Sequence, residues 1–372
     1  MSLPLVFTYG ERKNLRVTNI FTNTIDYSKQ LGLPFTISRL LGLFPYDNYF
    51  NFCRFWYIIG IIDVIFQCVA ILMIIFFQTY KHMLENKTEI SILFTLTFSL
   101  FLQNFLHLYS QYCGEEIWLK FYSYLKYYTN SNRNVGITWP NIIFWVSFSM
   151  SSVGLLIRII ILFVDNIKSF IMAFSFLYLC EASILYQFCV YLDLLNIIMK
   201  EINHELIAIN DVKYGQEKLI ALTDSHSSLI DLAEKVNLAF TKQMLVICLS
   251  TLAACTGGIY SVINAAVCRP TVHVKIIYRL EDVIRSLFKI FAIAYFCEQL
   301  GNNVRQFNVK LFYLLKKSIG MKKNEELVFY CLKERNIKFT AGGIINLGYP
   351  FIASMLGTAI TYVVVVIQFS SC

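Results

Sequence analysis

Residues 340–372, TAGGIINLGYPFIASMLGTAITYVVVVIQFSSC, contain no charged side chain. The apolar character is continuous, not alternating, so it does not read as a half-buried strand. A helix of about 20 apolar residues crosses the hydrocarbon core of a bilayer, and this run is long enough to hold one. Moving upstream, the same signature recurs six times. It appears at residues 55–77 with only Asp63 charged, at 90–108, and at 142–164 carrying Arg158. It appears again at 170–191 carrying Glu181, at 244–267 with no charge, and at 283–300, where Arg285, Lys289 and Glu298 interrupt it. Only helices and closed barrels satisfy their backbone in lipid, and these runs are too long for barrel strands. The expectation is an all-α polytopic membrane protein with seven transmembrane helices.

Composition points the same way. Of 372 residues, 57% are hydrophobic and 15% charged, against about 45–50% and about 25% in soluble domains. Too little charge remains to cover a soluble enzyme of this size. Lys and Arg number 32, Asp and Glu 24, a net charge of +8. The basic residues form no stripe with interleaved aromatics, so no nucleic-acid partner is expected. They alternate with the spans instead. Of those outside the spans, 23 fall on the side shared by the N-terminus and the loops after spans two, four and six, and 6 on the other. The positive-inside rule then puts the N-terminus in the cytoplasm and the C-terminus outside. A G-protein-coupled receptor has the opposite orientation. No DRY follows span three, no NPxxY lies in span seven, and span seven has no lysine for a Schiff base. A metabotropic receptor or a transporter stays open as an alternative, although no internal repeat favours an inverted-repeat transporter. Residues 1–54 show no apolar core after a basic start, so the first span is expected to drive insertion.

Catalytic signals are weak. The 11 cysteines include no CxxC pair, which argues against zinc and redox motifs. His204–Glu205 begins an HExxH, but Ala208 stands where the second histidine is needed. We expect no enzyme, no metal and no cofactor. Asn86-Lys87-Thr88 is a glycosylation sequon on the expected outer side, and Cys268 and Cys372 are the two cysteines the topology puts outside, where a disulfide is permitted.

Thr361-Tyr362-Val363-Val364-Val365-Val366-Ile367-Gln368-Phe369 reads TY, five aliphatics, then QF. This resembles the seventh-span signature of the insect gustatory receptor family. Phe339-Thr340-Ala341-Gly342-Gly343 and Asn346-Leu347 resemble the approach to that helix, and Leu229–Phe240, LIDLAEKVNLAF, resembles the segment entering the fifth span. From Leu229 onward the likeness is by motif; upstream it is by span number and orientation.

The resemblance implies a taste receptor in the plasma membrane of sensory neurons. It implies a ligand-gated cation channel assembled as a homotetramer or with other gustatory receptors, surrounded by membrane lipid. The implied division is a cytoplasmic segment 1–54, a ligand-binding membrane domain 55–300 with helical extensions near 199–243, anchor helices 301–345 and a pore helix 346–372. The ligand it implies is a small tastant, a bitter-type organic compound or a sugar.

The residues fit physical roles within that implied architecture. Thr361, Val365 and Gln368 fall at i, i+4 and i+7, on one helix face. A ring of valines facing a lumen dewets when closed, with Gln368 and Phe369 ending the constriction. With no carboxylate between residues 340 and 372, weak cation selectivity is expected. Gln368 also suits an interhelical hydrogen bond. Arg158 and Glu181 in spans three and four, with Trp145, Tyr178, Tyr260 and Asn264, suit an amphipathic ligand pocket. The competing roles are a structural Arg158–Glu181 ion pair and snorkelling of Arg285 and Lys289 to the interface. In the loop after span six, Phe307, Leu311, Leu314 and Ser318 share one face and are expected to pack on other helices.

Overall fold

A computed structural model describes residues 28–46, 52–81, 87–114, 117, 138–165, 170–209, 212–268, 273–317 and 324–369. Among these residues the chain forms nine helices: α1 (Ser28–Leu40), α2 (Arg54–Lys81), α3 (Lys87–Cys113), α4 (Thr138–Asp165), α5 (Phe170–Ile207), α6 (Val212–Cys268), α7 (His273–Lys317), α8 (Glu325–Lys333) and α9 (Tyr349–Phe369). An antiparallel hairpin, β1 (Thr340–Ala341) and β2 (Ile345–Asn346), precedes α9, with Thr340 opposite Asn346 and Ala341 opposite Ile345. The seven apolar stretches fall one to a helix, in α2 to α7 and α9.

Helix length sets the shape. α5, α6 and α7 have 38, 57 and 45 residues, or about 57, 85 and 68 Å at 1.5 Å per residue. A bilayer core is about 30 Å thick, so these helices run well beyond it. Their overshoot, with α8 and the hairpin, makes an extended end. α5 and α6 contain stretches, Leu177–Ile207 and Gln216–Ile263, long and apolar enough to cross a membrane. α5 is the hub: every residue from Cys180 to Asn196 is buried, the pattern of a helix enclosed on all sides. α2, in contrast, turns Phe55, Ile58, Ile62, Ile65 and Phe66 outward, as a lipid-facing helix does.

The described part of the N-terminal segment belongs to the core. Phe35, Leu43, Phe44 and Tyr46 are buried in the main cluster. Tyr46 Oη donates to the Gln111 carbonyl at 2.6 Å, and the Leu43 carbonyl lies 3.0 Å from His107 Nε2 and accepts from Gln187 Nε2 at 3.4 Å. These bonds satisfy polar groups that the bundle buries. A Cβ on Gly42 would lie 2.2 Å from Gly60 N, so this glycine pair lets the segment cross α2 in backbone contact.

At the extended end, Val304, Phe307, Leu311 and Leu315 of α7 form the buried seam. The seam turns slightly from the face expected from sequence: Leu314 is half-buried against the core, and Ser318 lies outside the described residues. The His226 ring of α6 stacks on Phe307, centroids 4.0 Å apart, and its Nδ1 lies 2.5 Å from Tyr330 Oη of α8. Burial pushes His226 down from 6.5 to about 3, with the Arg335 guanidinium adding to the effect and the Val304 backbone opposing it. Arg335 pairs with Asp231 at 2.5 Å and donates to Ser227. The short α8 is well terminated: Asn324 Oδ1 accepts from Glu326 N and Leu327 N, acidic residues fill the first turn, and Lys333 lies in the last.

Candidate functional site

Four charged side chains are buried between α5 and α7. Lys289 Nζ donates to Glu181 Oε1 at 2.7 Å, and Arg285 Nη2 to Asp282 Oδ1 at 2.5 Å. The Arg285 guanidinium lies 3.3 Å over the Tyr178 ring, and Tyr178 Oη lies 3.4 Å from Asp282 Oδ1. Glu181 is 2% exposed and Lys289 6%. The sequence leaves open, as alternatives to a ligand pocket, an Arg158–Glu181 ion pair and snorkelling of Arg285 and Lys289 to the interface. In the structure Lys289 is the partner of Glu181, and both basic residues point inward. The physical reason is that a charge within the bundle lowers its cost by finding an opposite charge at hydrogen-bond distance.

The other proposed pocket residues divide. Tyr178 belongs to this cluster, and Tyr260 of α6 is buried. Trp145 of α4 is 39% exposed and packs edge-to-face on Phe144 and Phe148. The side chains of Arg158, Asn264, Cys268 and Phe369 lie outside the described residues, as do Asn86 and Cys372.

A second polar network ties α2 to α3. Gln67 Nε2 donates to Asp63 Oδ2 at 2.7 Å, and Gln67 Oε1 accepts from Asn104 Nδ2 at 2.8 Å. Asp63 and Gln67, one turn apart, thus join neighbouring helices.

α9 begins where local sequence requires it. Gly342 and Gly343 have φ of +62° and +72°, the left-handed region that favours glycine. Pro350 stands in the first turn, where its missing N–H costs nothing, so it starts the helix and does not kink it. Within the subunit α9 is held by a narrow stripe: Phe351, Ala359 and Val363 are buried, with Met355 half-buried between them. Thr361, Val365 and Gln368 all lie on the exposed side. The hydroxyls of Ser354, Thr358 and Thr361 each donate to the carbonyl four residues back, so these three protons are satisfied within the helix.

A family model for the 7tm chemosensory receptor matches residues 31–371, nearly the whole chain. The chain belongs to that family. The receptor is accordingly a multi-pass membrane protein, and α2 to α7 and α9 are its seven transmembrane helices. Its fold is that of solved insect olfactory receptors. The structure of OR5 from Machilis hrabei in complex with eugenol aligns with a TM-score of 0.68 at 16% identity, covering 93% of this chain and 100% of that one. A second structure of the same olfactory receptor aligns with a TM-score of 0.66 at 14% identity, covering 92% and 98%. No curated protein sequence matches the receptor significantly.

Sequence reading missed Asp282 as the partner of Arg285, although i, i+3 spacing on one helix carried that signal. It also missed the buried row Gln103, His107 and Gln111 on α3. Their i, i+4 spacing was the available clue; glutamines in a span are usually read one at a time.

Proposed function

We propose that the receptor is a gustatory receptor: a weakly selective cation channel opened directly by a small organic tastant, working as a homotetramer or with other gustatory receptors. The observation that carries this reading is the TYVVVVIQF end of α9, whose Thr361, Val365 and Gln368 are turned away from their own subunit. Four such helices around an axis would face one another across a lumen. A ring of Val365 side chains closes it by making ion hydration costly. Gln368 then offers uncharged oxygens that hydrate a passing ion without trapping it. Phe369 ends the constriction.

The tastant site in this reading lies among α4, α5, α6 and α7, with Trp145, Tyr178 and Tyr260 supplying aromatic faces and Arg158, Glu181 and Asn264 polar contacts. The distribution of Lys and Arg supports a cytoplasmic N-terminus and an external C-terminus; the gustatory reading puts the receptor in the plasma membrane of a sensory neuron. The extended end is then the cytoplasmic anchor. The test is to record currents from cells expressing the receptor alone across bitter compounds, sugars and eugenol. Fast ligand-evoked cation currents support the reading; responses that require a second messenger contradict it. A tag after Cys372 should be detected on intact cells, and a tag before Met1 only after permeabilisation.

A further inference from the structure

A two-stranded hairpin leaves the outer edge of each strand with unpaired backbone groups. Here α6 satisfies the edge of β1. Asn237 Oδ1 accepts from Thr340 N at 3.0 Å, and Asn237 Nδ2 donates to Thr340 Oγ1 at 3.4 Å. One turn on, Thr241 Oγ1 donates to the Thr340 carbonyl at 2.9 Å, and the Thr241 carbonyl accepts from Gly342 N at 3.0 Å. Another turn on, a Cβ at Gly342 would lie 2.7 Å from Leu245 Cδ2, so the hairpin tip is in close contact with the helix. Three successive turns of α6 therefore hold Thr340 and Gly342, on either side of Ala341.

The hairpin is in turn continuous with the pore helix. Leu347 N donates to the Phe339 carbonyl at 2.8 Å, and Phe351 N to the Gly348 carbonyl at 3.0 Å. Phe339, Ala341, Leu347 and Phe351 are all buried in the main core. No slack segment separates the contact on α6 from the first turn of α9. Farther along α9, Ala359 packs with Cys255 of α6 and Val283 of α7.

We propose that Asn237 and Thr241 are positioning residues of the gate: through the backbone of β1 they couple α6 to the base of α9, so that α6 sets the radius at which the Val365–Phe369 constriction stands. This rests on the channel reading above. A constriction made by four helices is shut only while all four keep the same close radius. Releasing the base of α9 widens its spread of positions, and any spread opens the constriction for more of the time.

The test uses the full-length receptor in voltage-clamped oocytes, with currents normalised to surface receptor. Asn237→Ala/Thr241→Val removes the side-chain bonds while keeping the shape of Thr241. It should raise basal current at least about five-fold, the effect of one net hydrogen bond, since three side-chain bonds are lost. It should also speed modification of a Thr361→Cys background by a charged methanethiosulfonate. Thr241→Ser, which restores the hydroxyl, should return both readouts toward wild type when paired with Asn237; a role in folding alone would not produce that pattern. Val365→Ala, which leaves the α6 contact intact, is the control for the gate. If Val365→Ala leaks while Asn237→Ala/Thr241→Val keeps wild-type basal current and modification rate, the proposal is overturned and the channel reading stands. If Val365→Ala also carries no current, the channel reading fails and the proposal falls with it. Should the double variant not reach the surface, Asn237→Ala and Thr241→Val singly, each against Thr241→Ser, are judged by the same criteria.

Discussion

α5 and α9 are made of similar residues, and in sequence both read as apolar spans. In the structure they differ sharply. Every side chain from Cys180 to Asn196 on α5 is buried by its own subunit, whereas α9 buries only Phe351, Ala359 and Val363 among its described residues and exposes Ile360, Tyr362, Val364 and Val365. The neighbours of α5 are therefore specified within one chain. Outside its narrow buried stripe, α9 turns its side chains away from the described residues of its own chain. An apolar run in sequence thus conceals two kinds of helix, one that organises the subunit and one that the subunit presents.

The largest effect expected on α5 comes from its buried ion pair. Lys289→Ala leaves the Glu181 carboxylate unpaired, at a cost of about 3–5 kcal/mol. It should appear as a large fall in the melting temperature of the purified receptor, and Glu181→Gln/Lys289→Met should recover most of it. A small effect would mean that Glu181 is not committed to Lys289. Leu195→Ala, in the enclosed part of the same helix, should cost about 2–5 kcal/mol.

The packing of the extended end is open to a pH measurement. His226 is held neutral, with a folded value of about 3 against 6.5. For a base whose folded value is lowered, the unfolded chain takes up the proton first. Stability is then full above about pH 6.5 and falls by about 1.4 kcal/mol per pH unit as pH drops toward 3. His226→Phe should flatten that slope in acid unfolding of the purified receptor. An unchanged slope would place the acid-sensitive group elsewhere.

The smallest effect belongs to α9. Ile360→Ala should change the unfolding free energy of a single subunit by no more than about 0.5 kcal/mol. A larger loss confined to the assembled form would show that a partner subunit covers this face.

Much of this difference could not be read from sequence. Continuous apolar runs made six spans plain, because lipid demands helices of a given length whatever their neighbours. The seventh stretch to be recognised, 283–300, was the weakest because Arg285, Lys289 and Glu298 interrupt it. Those charges have partners that only the folded bundle brings within reach: Glu181 lies more than 100 residues before Lys289, and the two meet because α5 and α7 pack side by side. The pairing of Glu181 depends on helix register, which hydropathy does not encode. The burial of Phe35, Phe44 and Tyr46 was hidden for a related reason, since residues 28–46 are too short and too mixed to resemble a span. The hairpin was visible only as a glycine pair, and its contact with Asn237 and Thr241 joins residues about a hundred positions apart.

The most direct test of the central claim is the ionic current through Val365 and Gln368 variants of receptor shown to be at the cell surface. Val365→Ala should conduct without ligand. Gln368→Glu, by placing up to four carboxylates in one ring, should raise selectivity for cations and most of all for divalent ions. Basal current and selectivity identical to wild type in both variants would mean that this end of α9 lines no pore, and would contradict the channel account.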